Sequence, residues 1–326
     1  MPVISRRQLL IGAAASLAVP SALVRAQSRD MSIIVAYPPG GSLDAMARMI
    51  AQHLGEKRGH SVVVDNKPGF SGNIGAQYVA KARPDGNTLL MTALTSYAIN
   101  ARLMGEKTGY DLLKGFEHVA IVGYLPNVLI VPASLGVDDL KSFIDLIKSR
   151  PGELSYGTTG NGSLEHIAGE MFKRATGIDI EPVPYKGSTP GVTDLIGGRI
   201  QAMFVNTSTA INNLQGGRIR VIGVAGPNRV AALPDVPTLR EAGVEMSNDV
   251  VSIFGIAVPA GTPQEVVEQL NKDLNAALDN DDIKERFGGL GIELVSESAA
   301  YATKRIEDEV ATWNRVLDET GITLHE

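Results

Sequence analysis

Two stretches of this sequence combine glycines, hydroxyl side chains and an acid at the same spacing. In the first, Ile33-Ile34-Val35-Ala36-Tyr37 leads into Pro38-Pro39-Gly40-Gly41-Ser42-Leu43-Asp44. In the second, Leu154-Ser155-Tyr156 leads into Gly157-Thr158-Thr159-Gly160-Asn161-Gly162-Ser163-Leu164-Glu165. Gly-Ser-Leu-acid recurs in the same register. Apolar residues then follow at helical spacing, at Leu43, Met46, Ala47, Ile50 and Leu54, and at Leu164, Ile167, Ala168, Met171 and Phe172. Each loop is thus expected to deliver a strand into a helix N-terminus, where unpaired N–H groups and the positive end of the helix dipole attract an anion. Neither loop contains lysine or arginine, so backbone N–H groups and the hydroxyls of Ser42, Thr158, Thr159 and Ser163 are the expected donors. Taken singly, each loop is equally well an ordinary N-cap, worth ~1 kcal/mol to its helix. The pairing favours a site that holds a carboxylate or dicarboxylate between two facing ends. Asp44 and Glu165 are expected to stabilise the first turns of their own helices.

Other polar residues follow strands and are secondary candidates: Thr92, Thr95 and Ser96, then Asn206 with Thr207. Lys186 is either a point charge for the anion or a solvated loop lysine. His166 is either a contact or a partly exposed histidine. Enzyme chemistry finds less support. Gly40-Gly41-Ser42-Leu43-Asp44 departs from a nucleophile elbow at its last position, and the serine has no identifiable base. Gly160-Asn161-Gly162 has neither a dinucleotide fingerprint nor a phosphate-loop lysine. There is no cysteine, and His53, His60, His118, His166 and His325 lack zinc spacing. No metal or cofactor is expected.

Short β-rich runs alternating with amphipathic stretches must position these loops, which predicts an α/β fold. Strands are expected at Ile33–Tyr37, 62–64, 89–91, 128–131, 202–205 and 221–224. Two apolar runs end in proline and alanine, at Pro132-Ala133 and Pro259-Ala260. Each reads as a strand leaving its sheet, because proline cannot donate to the ladder. Taken as two crossings between lobes, they predict one lobe of residues 27–126 plus 251–326, a second of 127–250, and a two-stranded hinge. One continuous sheet with two proline-terminated edge strands is the alternative. The 326 residues, 44% hydrophobic, suit two cores better than one.

Residues 1–26 read as an export signal. Ser5-Arg6-Arg7-Gln8-Leu9-Leu10 supplies a charged start, an uncharged and mostly apolar run extends to Val19, and Val24-Arg25-Ala26 supplies small residues. The run is shorter than the ~20 residues of a membrane span. The paired arginines resemble a twin-arginine signal, with a general secretory signal as the alternative. Either leads to the periplasm. The formal charge of −6 becomes three units more negative once Arg6, Arg7 and Arg25 are removed. Nucleic acid is therefore excluded as a partner, and anionic membrane surfaces fit poorly. The protein is expected to be a monomer.

A series of segments resembles the Bug receptor family of tripartite tricarboxylate transport systems (TctC-like receptors). The segments include Tyr37-Pro38-Pro39-Gly40-Gly41 with Asp44, Ala47 and Arg48, then Val63-Val64-Asp65-Asn66-Lys67-Pro68-Gly69 with Gly72-Asn73-Ile74-Gly75. They continue with Ala82-Arg83-Pro84-Asp85-Gly86, Tyr156-Gly157, and Val183-Pro184-Tyr185-Lys186-Gly187. Leu233-Pro234-Asp235-Val236-Pro237-Thr238, Glu241-Ala242-Gly243 and Pro259-Ala260-Gly261-Thr262-Pro263 close the series. The resemblance implies a two-lobed type II periplasmic-binding-protein fold, a solute receptor that does not turn its ligand over, and a carboxylate held by the two loops, often through waters. By matched position the contacts are Tyr37, Pro39, Gly40, Gly41, Ser42, Leu43 and Asp44, with Thr158, Thr159, Gly160, Asn161, Gly162 and Ser163. Implied partners are the membrane subunits of such a transporter or a sensor-kinase ectodomain; an enzyme acting on small carboxylates is the remaining alternative. The chain departs from the family at Val251-Ser252-Ile253, where a tryptophan is usual, and at Asn100-Ala101, where asparagine–proline is usual.

Overall fold

Residues 31–323 are described by the computed structural model, so the expected export signal over 1–26 and His325 lie outside the described residues. The alternation of apolar runs and amphipathic stretches becomes strands and helices in close succession. The first part of the chain forms β1 (Met31–Val35), α1 (Ser42–Arg58), β2 (Val62–Asn66), α2 (Asn73–Ala80), β3 (Thr88–Ala93), α3 (Leu94–Met104) and β4 (Phe116–Pro132). The middle forms α4 (Leu140–Ser149), β5 (Ser155–Thr158), α5 (Leu164–Thr176), β6 (Glu181–Pro184), α6 (Ser188–Ile196), β7 (Ala202–Asn206), α7 (Thr207–Leu214) and β8 (Ile219–Val224). The last part forms β9 (Val251–Pro259), α8 (Gln264–Leu278), α9 (Asp281–Gly289), β10 (Glu293–Leu294) and α10 (Ala299–Thr320). β1 ends at Val35, two residues before the expected Tyr37.

The strands follow the order β2-β1-β3-β9-β4-β7-β5-β6, with β8 and β10 also pairing to β4. At one end β1 pairs in parallel with β2 and β3; at the other β5 pairs in parallel with β6 and β7. Inner strands of parallel groups are covered on both faces and read as continuous apolar runs, as β1 and β7 do. α1 lays Leu43, Met46, Ala47, Ile50 and Leu54 into the core around β1 and β3, and stops at Gly59, whose φ of 70° closes the last turn. α10 buries Trp313, Val316 and Leu317 against α3 and β4, as packing residues.

β4 is common to both groups. As far as Pro126 it pairs with β9; from Asn127 onward it pairs with β7 and β8. The return passage lies alongside, since Asn127 N–H donates to Val250 O at 2.9 Å and β9 begins at Val251, opposite Pro126. Pro132 and Pro259 terminate β4 and β9 opposite Ile219 and Phe116, away from this junction. The prolines therefore mark strand ends and not the places where the chain changes partners. Lacking an N–H, proline ends a ladder, whereas a strand can change partners in mid-run where bulges sharpen its twist. β4 carries such register shifts between His118 and Ala120, between Ile121 and Gly123, and between Leu129 and Ile130. Among the described residues no helix is long and apolar enough to cross a membrane.

Candidate functional site

The carboxyl ends of β1, β3, β5, β6 and β7 each pass directly or through a short loop into the helix that follows, and open α/β sheets bind ligands beyond such ends. At β1, Gly40 takes a φ of 88° and Gly41 becomes the N-cap of α1. Gly40 N–H turns back to Asp44 Oδ2 at 3.0 Å. Asp44 stands at the third helical position but reaches past the N-cap to the residue before it, so no capping box forms. Gly41 has no side chain, and no side chain caps the first turn formed by Ser42, Leu43 and Asp44.

Asp44 is committed elsewhere. It accepts from Arg48 Nε and Asn66 Nδ2, both at 3.0 Å, and Arg48 Nη2 lies 2.9 Å from its other oxygen. Burial opposes its ionisation, but the bonds from Arg48, Gly40 N–H and Asn66 hold its carboxyl below the usual carboxylate range. Leu43 is core. What remains open at α1 is the N–H cluster and the Ser42 hydroxyl, which meets Ser208 Oγ of α7 at 2.6 Å.

The second loop uses the same tetrapeptide one position out of step. Ser163 is the N-cap of α5 and accepts from His166 N–H at 3.2 Å, while Gly162 N–H donates to His166 Nδ1 at 3.2 Å. Gly160 N–H donates to Thr158 Oγ1 at 3.3 Å, Ser163 N–H to Gly160 O at 3.1 Å, and Thr159 Oγ1 to Glu165 Oε2 at 2.5 Å. This terminus thus satisfies itself, and His166, 3% exposed, is a capping residue with Nδ1 as the acceptor. Glu165 is buried; that burial pushes its carboxyl up, opposed by hydrogen bonds from Thr159, its own backbone and Ser163. It faces Tyr37 across the junction. The Tyr37 phenol is raised first by burial, lowered by a hydrogen bond with Ser96, and raised further by the Glu165 charge.

A cavity of about 350 Å³ opens beside the first loop, within the roughly 300–1,000 Å³ usual for small-molecule sites. Gly40, Gly41, Ser42 and Ala45 of the first loop and α1 line one side. Ser188, Thr189, Val192, Thr193 and Ile196 of α6 face them, joined by Ser208, Thr209, Asn212 and Asn213 of α7, with Arg218 and Leu290 completing the wall. Neither α6 nor α7 has a side-chain cap. No aspartate or glutamate lines the cavity, and Arg218 is the single charged lining residue among those described.

Of the sequence candidates, the structure gathers Gly40, Gly41 and Ser42 on the cavity, and Tyr37, Ser96 and Thr159 in the buried cluster with Glu165. Pro39 and Asn161 are exposed beside them. Thr95 Oγ1 pins β9, donating to Val251 O and accepting from Ile253 N–H, both at 3.1 Å. Thr92 is buried with Oγ1 unpartnered among the described residues. Asn206 Oδ1 accepts from Ser252 Oγ at 2.8 Å, and Asn127 Nδ2 donates to Ser252 Oγ at 3.3 Å. That chain ties β4, β7 and β9 together, at the segment where the family usually carries tryptophan. Lys186 is exposed and outside the cavity lining. Sequence reasoning missed α6, α7 and Arg218 as walls. Their signal was a third strand–glycine–hydroxyl entry, Tyr185-Lys186-Gly187-Ser188-Thr189, with Gly187 at φ 104°.

Residues 46–322 match the family model described as the tripartite tricarboxylate transporter family receptor. Among solved structures, the chain is similar to a Rhodopseudomonas palustris protein, Rpa4515, with adipate, at 37% identity and TM-score 0.86, covering 91% of this chain and 99% of that one. It is similar to periplasmic binding protein BugD at 29% identity and TM-score 0.84, with coverage of 90% and 98%. It is also similar to MatC from Rhodopseudomonas palustris with bound malate, at 28% identity and TM-score 0.82, with coverage of 89% and 99%.

Proposed function

This chain belongs to the tripartite tricarboxylate transporter receptor family, and from that premise we propose that it captures a small organic carboxylate at the open first turn of α1 and releases it unchanged. One observation carries the placement. α1 presents a first turn without a side-chain cap, with the Ser42 hydroxyl, to a cavity that no acidic side chain lines. Unpaired N–H groups and a helix dipole favour an anion there, and the one carboxylate in that turn, Asp44, lies outside the cavity lining and is paired with Arg48. The second loop offers no comparable terminus, since its own N–H groups at Gly160, Gly162, Ser163 and His166 are largely spent internally, and α6 and α7 form the facing wall.

The protein is a solute-binding receptor and not an enzyme, as are its family and its structural neighbours. The local chemistry agrees. Asp44 is held by Arg48 and Asn66, Glu165 by Thr159, and His166 by Gly162; Ser42 meets another serine and no base. Among these described residues no activated nucleophile of the kind acyl transfer needs is assembled. Neighbouring structures with adipate and with bound malate support a carboxylate ligand.

The reading extends to motion and partners. Residues 27–126 plus 251–326 act as one lobe and 127–250 as the other, pivoting where β4 passes Pro126–Asn127 and the chain returns at Val250–Val251. The Ser42–Ser208 contact then belongs to the closed form. The export signal over 1–26 takes the chain to the periplasm, and the loaded form delivers its ligand to the membrane subunits of a tripartite tricarboxylate transporter.

The test is a thermal-shift screen of organic acids followed by mass spectrometry of the recovered ligand. At a hundred times its dissociation constant a ligand adds ~2.7 kcal/mol, a rise of roughly 4 °C for a chain of this size. The acid should be recovered intact. Conversion at a rate proportional to protein, or no shift with any carboxylate, overturns the reading.

A further inference from the structure

Arg218 follows α7 in a short turn that begins at Gln215. Gly217 there takes a φ of 60°, and a Cβ on Gly216 would stand 3.1 Å from Arg218 Nε, so the guanidinium lies back over a turn that glycine leaves bare. The side chain is exposed, lines the cavity, and makes no hydrogen bond or ion pair with the described residues. This is unlike its neighbour Arg220, which is paired with Asp138, and unlike Arg48, Arg58 and Arg199, each paired with an aspartate. An unpaired guanidinium in the wall of an acid-free cavity is a receptor for a carboxylate or similar oxyanion, which it matches as a two-pronged donor.

Its place relative to α1 is set by α7. Ser42 meets Ser208 in the first turn of that helix, whereas Arg218 lies beyond its last residue, Leu214. At 1.5 Å per residue the two anion-attracting points are on the order of 10 Å apart along α7, less whatever the arginine reaches back. Ala45, Val192, Ile196 and Leu290 contribute apolar surface to the same cavity. Resting on the carboxylate-receptor reading above, we propose that Arg218 is the specificity-determining residue of this cavity: with one carboxylate of the ligand at the α1 terminus, it receives a second anionic group across the apolar stretch between them. Arg218 thereby selects diacids over monoacids of the same skeleton.

The experiment compares matched pairs, adipate with hexanoate and phthalate with benzoate, by isothermal titration into the wild type, Arg218→Gln and Arg218→Lys. In the pair whose skeleton fits, the wild type should bind the diacid roughly tenfold more tightly, in line with one charge-assisted contact at an exposed arginine. Arg218→Gln should abolish that preference, weakening the diacid roughly tenfold more than the monoacid, and Arg218→Lys should keep part of it. The preference should also shrink on raising salt from about 0.05 to 0.5 M, as an exposed ionic contact must. Equal binding of diacid and monoacid by the wild type, or a preference that survives in Arg218→Gln, overturns the role of Arg218 and leaves the carboxylate receptor standing. Failure of both members of both pairs to bind overturns the selection of an apolar-spaced diacid by Arg218, whereas the carboxylate reading falls only if the wider acid screen also gives no shift.

Discussion

Replacing Gly41 by valine tests the open terminus of α1 with little risk to the fold. Gly41 has φ −82° and ψ 174°, a conformation open to any residue, and a Cβ there would meet nothing nearer than Pro38 O at 4.0 Å. Gly40 offers no such test, because its φ of 88° would strain any side chain. Valine is a poorer N-cap than glycine, so the stability lost should be ~1 kcal/mol or less. For the ligand the effect is far larger. Gly41 lines the cavity, and a branched side chain beside the first turn prevents an anion from approaching its N–H groups. Losing two charge-assisted hydrogen bonds at ~1.5–3 kcal/mol each weakens binding by about 100-fold or more. Isothermal titration with the acid selected by the thermal screen reads that loss, with circular dichroism and a melting curve showing that the variant is folded. A folded Gly41→Val protein that binds within about threefold of wild type would falsify the α1 site.

Two further outcomes follow from the same geometry. Small-angle scattering should show a smaller radius of gyration on saturation with ligand, because a ligand touching both sides of the junction favours the closed arrangement; an unchanged radius refutes pivoting at Pro126–Asn127. Arg48→Met should remove both guanidinium contacts that help to hold the Asp44 carboxyl below its usual range. A depressed carboxyl pKa contributes stability above the unfolded value of ~3.9 and loses it as pH falls through the folded value. The melting-temperature gap between wild type and Arg48→Met should accordingly be widest near neutrality and narrow below about pH 4; a gap independent of pH would show that Arg48 acts by packing alone.

Much of the fold could be read from local pattern. The strand cores 62–64, 89–91, 202–205 and 221–224 all fall inside observed strands, and the apolar face of α1 buries as its spacing implies. β4 was legible only in part. Its 17 residues include Gly123, Pro126 and Asn127, which read as interruptions, and only its pairing with β9 on one stretch and β7 and β8 on the other holds them in one strand. The walls contributed by α6 and α7 were hidden for a similar reason. Ser188, Thr189, Ser208 and Thr209 look like turn and capping residues until the sheet order brings β6 and β7 to the side of the junction that faces α1.

By itself the sequence determined that glycines and hydroxyls lead strands into helix N-termini, and that no lysine or arginine lies in either loop. Those are properties of adjacent residues, and short-range backbone sterics and hydrogen bonding enforce them. Tertiary structure alone decided which terminus stays open. Gly-Ser-Leu-acid occurs in both loops, yet α1 starts at its serine and α5 just after. The fold puts Gly41, which has no side chain, at the N-cap of α1 and holds Asp44 against Arg48, Gly40 N–H and Asn66 from β2, while His166 completes the cap of α5. A backbone N–H is available to an anion only if nothing else in the folded chain reaches it first, and that competition is settled in part by groups far away in sequence.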